Sequence, residues 1–178
     1  MPVGRRDFLI GTLSGMTGLS SLARSPGALA AAAQELSFYH IHTSEALTVA
    51  YREHGEIVPG ALEEITHFLR DFRNEQTHPI DVKLLDTLSS LYAEFEQRGR
   101  FEVISGYRSP RTNEALRHVT TGVAKDSLHL TGRAIDVRLT SAATAKLRDA
   151  AIVMQQGGVG YYPESNFVHI DTGAFRSW

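Results

Sequence analysis

The sequence predicts an α+β domain in which helices pack against an antiparallel sheet. Three observations lead there. Short alternating apolar runs and longer runs of helical period follow one another in the order β-β-α-α-β-α-β-α-β-β. The strands pair up at both ends of this order with tight connections, rather than alternating strictly with helices. The chain has 178 residues, 42% apolar and 21% charged, which suits one core once a leader is set aside.

The first 33 residues read as that leader. Gly4-Arg5-Arg6-Asp7-Phe8-Leu9-Ile10 looks like a twin-arginine export signal, and Ala28-Leu29-Ala30 offers the small residues a signal peptidase reads. Between them, Gly11, Ser14, Gly15, Thr17, Gly18, Ser20 and Ser21 make the stretch too polar for a stable membrane span. The expectation is a precursor handled by the twin-arginine translocase and cut between Ala30 and Ala33. The mature domain, 34–178, would then lie in the periplasm with no membrane span of its own.

The mature elements follow in order. Leu36–Thr43 and Ala46–Arg52 read as strands joined by a turn at Ser44-Glu45. His40 and His42 alternate on the first of them and read as a polar strand face, since no third ligand lies nearby. Pro59–Asn74 is an amphipathic helix with proline at its start and Leu62, Ile65, Phe68, Leu69 and Phe72 on one face. Asp81–Arg98 is a second, with Asp81 as N-cap and Leu84, Leu85, Leu88, Leu91, Tyr92 and Phe95 inward. His67 and His78 fall on or between these helices and read as surface residues. Phe101–Ile104 is a strand delivering Arg108 to a turn, and Arg111–His118 a short helix opened near Ser109-Pro110. After a small-residue loop, Arg133–Leu139 alternates as a half-buried strand. A helix from Ser141 to Met154 would bury Ala145, Leu147, Ala151 and Val153, and Gly157-Gly158 ends it. Val159–Tyr162 and Phe167–Asp171 close the order as strands joined around Pro163-Glu164.

Composition excludes several functions. The formal net charge of −2 becomes more negative when Arg5, Arg6, Arg24 and Asp7 leave, so nothing argues for nucleic acid. Cysteine is absent, which removes thiolate ligands and a cysteine nucleophile. No G-x-S-x-G elbow and no glycine-rich phosphate loop occurs. What remains is a pair of segments. Ser127-Leu128-His129-Leu130-Thr131-Gly132-Arg133-Ala134-Ile135-Asp136 is followed, forty residues after His129, by Phe167-Val168-His169-Ile170-Asp171. Two imidazoles and a carboxylate are what a catalytic zinc needs when its fourth position is left for water. Asp136 lies between Ile135 and Val137, and a carboxylate so placed is costly to bury unless a cation or donors meet it.

The pattern S-x-H-x-x-G-x-A-x-D with a later strand histidine resembles the zinc D-alanyl-D-alanine peptidases of the lysostaphin, D-Ala-D-Ala peptidase and hedgehog superfamily. Ser105-Gly106-Tyr107-Arg108 looks like that family's S-G-Y-R segment, and Gly158–Tyr162 and Arg176-Ser177-Trp178 extend the likeness. The chain is similar, over roughly 35–178, to the twin-arginine-exported murein endopeptidases. The resemblance implies one zinc ion held by His129, Asp136 and His169, with Arg108 facing the substrate. That substrate would be the cross-linked peptides of peptidoglycan. Ser127 and His118 are further candidates for substrate contact, His118 equally reading as a polar helix end. In many members a carboxylate three residues before the last histidine is the general base. Asn166 stands there instead, and an amide cannot take that proton. Asp171 shares a strand face with His169, so it is either the base or a group that holds the ligands in place. Two alternatives remain: a catalytically silent wall-binding module that keeps the metal site, and a D,D- or L,D-carboxypeptidase on the same scaffold.

The leader generates its own prediction. Arg5→Lys combined with Arg6→Lys should leave unprocessed precursor in the cytoplasm, read by cell fractionation and immunoblotting. Normal processing of that double variant would indicate the general secretory route.

Overall fold

The computed structural model describes Met1, residues 33–120 and residues 122–178; the leader expected from the sequence lies almost wholly outside these. Eight strands form one sheet in the order β3-β2-β1-β4-β5-β7-β6-β8. They are β1 (Gln34–His40), β2 (Ala46–Glu53), β3 (Glu56–Ile57), β4 (Phe101–Ser105), β5 (Ala134–Leu139), β6 (Gly158–Tyr162), β7 (Phe167–Asp171) and β8 (Arg176–Ser177). Among the described residues, four helices accompany them: α1 (Pro59–Phe68), α2 (Val82–Glu94), α3 (Pro110–Val119) and α4 (Thr144–Met154). The α+β class holds, but the sheet is mixed rather than purely antiparallel. β1 runs parallel to β4, and β6 to β8. Between β1 and β4 the chain passes through a hairpin and two helices, the crossover length that a parallel neighbour requires.

Period-2 alternation divides the sheet into two faces. Leu36 and Phe38 of β1, Phe101 and Val103 of β4, Ile135, Val137 and Leu139 of β5, and Val168 and Ile170 of β7 all join one buried cluster. Leu84, Leu85, Leu88 and Leu91 of α2, Ile65 of α1 and Leu147 of α4 complete it from above. α2 begins as its sequence dictates, with the Asp81 carboxylate accepting from the Lys83 N–H at 3.0 Å. Ser109 likewise caps α3, where Pro110 needs no hydrogen-bond partner.

Helical details differ from expectation, beginning with α2, which ends at Glu94 rather than Arg98. α1 stops at Phe68, six residues early, because the chain turns to brace the β4–α3 connection. There the Leu69 carbonyl accepts from the Tyr107 N–H at 2.8 Å, and the buried Asp71 carboxylate accepts from the Ser109 N–H at 3.0 Å. α4 starts at Thr144, since the Ser141 hydroxyl is already spent on the Arg98 carbonyl. Within α4, Val153 is 81% exposed rather than buried. It lies two positions beyond the buried Ala151, about 200° around the helix.

His40 is a further correction. Rather than a polar face, it occupies the core side of β1 after Leu36 and Phe38, only 1% exposed and edge-on to Phe68 and Phe72. His42 has left the strand and stacks on Phe72 at 4.3 Å. Burial chiefly, helped by His42, Arg70 and Arg73 and opposed by Glu45, lowers the His40 pKa from 6.5 to about 4. The unfolded chain therefore takes up this proton near its ordinary pKa, while the folded chain resists it. Stability should fall as pH drops through that window, by on the order of 2–4 kcal/mol from this group alone. His40→Phe should flatten that part of the acid limb in urea titrations run between pH 7 and 4. An unchanged slope would show that His40 does not carry it.

Candidate metal centre

The centre grows from one pair of strands. β5 and β7 run antiparallel with Asp136 directly opposite His169, and Ala134 opposite Asp171. Both partners of such a pair project to the same face, here the face away from the helices. His129 arrives from outside the sheet. It sits in a 3-10 turn, Leu128–Thr131, which Ser127 opens by accepting from the His129 N–H. Gly132 ends the turn with φ of +64°, and a Cβ there would lie 2.2 Å from the Pro79 carbonyl oxygen. Only glycine fits both demands.

The three side chains converge. His169 Nδ1 lies 2.9 Å from Asp136 Oδ1, and His129 Nε2 lies 3.3 Å from the same oxygen and from His169 Nδ1. His129, Asp136 and His169 each offer a ligand atom within 4.8 Å of the others. Their remaining atoms are already engaged. His129 Nδ1 is 2.7 Å from the Gly106 carbonyl, an acceptor, so that nitrogen carries the proton and Nε2 presents its lone pair inward. His169 Nε2 donates to Asp171 Oδ2 at 2.9 Å, which aims Nδ1 at the centre. Asp136 Oδ2 accepts from Arg108 Nη2 at 3.3 Å. Ring nitrogens tied down in this way are the arrangement that orients histidines on a metal.

Electrostatics favour positive charge at this point. Burial opposes an imidazolium at His169, yet its hydrogen bonds to Asp136 and Asp171 outweigh burial and raise its pKa to about 9. Burial pushes the Asp136 carboxyl up, but His129 and His169 together hold it well below the usual carboxylate range. Burial draws His129 down, keeping it neutral as a ligand must be. The donor set thus fits a cation, and its two nitrogens and one oxygen suit zinc chemistry.

The other expected residues divide. Arg108 lines the cleft above the centre, and its Nη2 bridges Ser105 Oγ and Asp136 Oδ2, both at 3.3 Å. Ser127 lines the same cleft but spends its oxygen on the 3-10 turn. His118 is not brought there. It is exposed on α3 and pairs with Glu114 one turn earlier at 3.1 Å. Asn166 also faces elsewhere, its side-chain oxygen accepting from the Thr144 hydroxyl at the start of α4. For Asp171 the sequence left two roles open, the base or a group that holds the ligands in place, and its contacts favour the second. Its oxygens accept from His169, from both Arg176 Nη atoms, and from the Gly158 and Gly173 N–H groups. Its side chain has no exposed surface. Although burial pushes its pKa up, these donors hold it below the usual range, and no lone pair remains to receive a proton from water. Asp171 positions His169.

Several contributors were missed in the sequence. Arg176 clamps Asp171, and Trp178 lies 5.4 Å from the His169 ring. Their only sequence signal was the closing Arg-Ser-Trp already noted as part of the resemblance. Asp126 lines the cleft as well, and among the described residues no hydrogen bond or ion pair engages it. The cleft encloses about 410 Å³.

Two imidazoles and a carboxylate converging on an open cleft are a donor set that could hold a metal ion for hydrolysis. Comparison with known proteins makes this specific. A family model described as Peptidase_M15_2, peptidoglycan L,D-endopeptidase MepK, matches residues 28–178. The peptidoglycan L,D-endopeptidase MepK of Escherichia coli strain K12 is 41% identical over 143 residues, covering 80% of this chain and 79% of that protein. The probable peptidoglycan L,D-endopeptidase MepK of Haemophilus influenzae is 38% identical over 144 residues, covering 80% and 77%. No solved structure matches the chain significantly. The chain belongs to the Peptidase_M15_2 family.

The geometry around Asp171 yields a prediction. Asp171→Asn should weaken zinc affinity by roughly ten- to a hundredfold, with turnover restored at high zinc. Loss of turnover at saturating zinc, with affinity unchanged, would return Asp171 to the role of base.

Proposed function

We propose that this chain is a zinc-dependent murein endopeptidase that cleaves peptide cross-links of peptidoglycan in the periplasm, reached by twin-arginine export. The observation that carries the reading is the convergence of His129 Nε2, Asp136 Oδ1 and His169 Nδ1, with their remaining polar atoms engaged from behind. The names of the relatives point to cross-links of the L,D type. Endopeptidases in those names also favour this over a carboxypeptidase on the same scaffold.

His129, Asp136 and His169 would hold the ion, and zinc there supplies a Lewis acid and a water of pKa roughly 7. The protein's own groups do the rest. Arg108 donates to Asp136 and holds it in place, and its guanidinium at the cleft wall meets negative charge on the substrate. Asp126, an exposed carboxylate on the cleft lining, is the group assigned to take a proton and pass it to the leaving amine. Ser127 fixes the turn that carries His129.

A second reading, a silent wall-binding module, draws support from Asn166 and Asp171, since neither is available as a base. One experiment separates the two. Processed, zinc-loaded protein should split cross-linked muropeptides into monomers by mass spectrometry, and chelator should stop it. Binding without cleavage in zinc-replete buffer would establish the silent module.

Two substitution series follow. Alanine at His129, Asp136 or His169 should remove stoichiometric zinc while far-ultraviolet circular dichroism stays near wild type. Full zinc retention by any one would strike that ligand from the set. Asp126→Asn should lower kcat by about a hundredfold or more with zinc content unchanged. A wild-type kcat would assign the proton transfer elsewhere.

A further inference from the structure

One wall of the cleft is aromatic, and the core does not account for it. Trp178 is the sole tryptophan and leaves 52% of its surface exposed, so burial gives it little reason to be there. It is nevertheless held firmly. Its N–H donates to the Val159 carbonyl at 3.2 Å and its carbonyl accepts from the Tyr161 N–H at 2.9 Å. The indole Nε1–H donates to the Tyr162 hydroxyl at 3.0 Å. Gly160 leaves room beneath, where a Cβ would come within 2.7 Å of ring atoms. Tyr162 in turn stacks on Phe167 at 4.6 Å and 17°. All three rings line the cleft, with Trp178 5.4 Å from His169.

An apolar surface kept in water, fixed in advance and set beside the reacting centre, has the properties of a binding shelf. The geometry points to Trp178, Tyr162 and Phe167 as the subsite for the aliphatic arm of the diamino acid at the scissile bond. This rests on the endopeptidase reading. A cross-link between two peptides needs a residue with a second amine, and the methylenes between its amines are an apolar arm. The glycan joins the far end of such a peptide, at least two residues from the cross-link. At about 3.3–3.6 Å per extended residue it lies roughly 7 Å or more from the bond being cut. A ring beside His169 therefore meets the cross-linking residue rather than a sugar.

The test uses zinc-loaded protein and a sugar-free cross-linked peptide dimer. Trp178→Ala should raise KM by about tenfold with a smaller change in kcat, and Trp178→Phe should recover most of the loss. Gly160→Ala keeps the indole but pushes it off the sheet, so KM should rise as in Trp178→Ala. Zinc content of each variant reports an intact centre. In the wild type, emission from the sole tryptophan should change on mixing with the dimer in stopped flow, before turnover. A peptide-free N-acetylglucosamine disaccharide should leave emission unchanged. Unaltered KM in Trp178→Ala and Gly160→Ala, with an active wild type, overturns the shelf and leaves the endopeptidase reading standing. Emission that answers the disaccharide and not the dimer overturns it in favour of sugar stacking. If a variant loses zinc, the wild-type emission titration decides alone. A wild type that neither cleaves nor answers the dimer overturns both readings.

Discussion

The antiparallel pairing of β5 with β7 is the constraint on which the centre depends. It sets Asp136 against His169 and, two residues along, Asp171 on the same face. What fixes that pairing is the opposite face. Ile135, Val137, Val168 and Ile170 are all 1% exposed or less, on the face that α4 covers. Full burial of each contributes roughly 1.5–3 kcal/mol, while a single polar contact adds about 0.5–1.5 kcal/mol net. A one-residue slip would turn the apolar set outward and drive Asp136 into the core. The candidate ligands Asp136 and His169 are thus placed by the hydrophobic effect acting on their neighbours, and their polar contacts refine a position already chosen.

His129 needs separate provision, because it does not belong to a strand. The register between β4 and β5 shifts after Val103, so that Ser105 rather than Ile104 opposes Asp136. Such an irregularity bends the strand and redirects the chain beyond it. Here it brings the Gly106 carbonyl to His129 Nδ1 and Arg108 to Asp136, while the Arg108 N–H donates to the His129 carbonyl at 3.1 Å. The turn after α1 supports the same connection through Leu69 and Asp71. An early end to α1 and a bulge in β4 are therefore one adaptation, and both serve the histidine.

The legible parts of the sequence were those governed by local rules. The α2 periodicity, its Asp81 cap, the β5 alternation and Ser109-Pro110 at the start of α3 each follow from a few adjacent residues. β3 and β8 have two residues each, too few to show any alternation. His40 was misread because a histidine on an alternating strand looks polar until Phe68 and Phe72 arrive from a later turn to cover it. The convergence of His129, Asp136 and His169 was recognisable through spacing and resemblance together, since neither histidine is marked by local pattern alone. Asn166 was noticed as a departure, but its partner Thr144 lies 22 residues away, which no short-range rule reaches. Asp126 carried no signal, being one charge in a polar loop. The bulge carried none either, because register is a relation between two strands.

The last few residues show how a short segment can govern a buried centre. β8 is too small to be stable alone, and it joins the sheet by pairing with β6. That pairing brings Arg176 over Asp171, where its two Nη atoms donate at 3.1 and 2.6 Å. Asp171 is fully buried, so its charge would be costly without these donors. With them it stays ionised and accepts from His169 Nε2, which turns Nδ1 toward Asp136. The orientation of one ligand thus passes through a carboxylate to an arginine near the chain's end. The same pairing sets Trp178 on the cleft wall. Arg-Ser-Trp at the terminus is therefore coupled to the centre in two ways, one electrostatic from behind the histidine and one steric from in front of it.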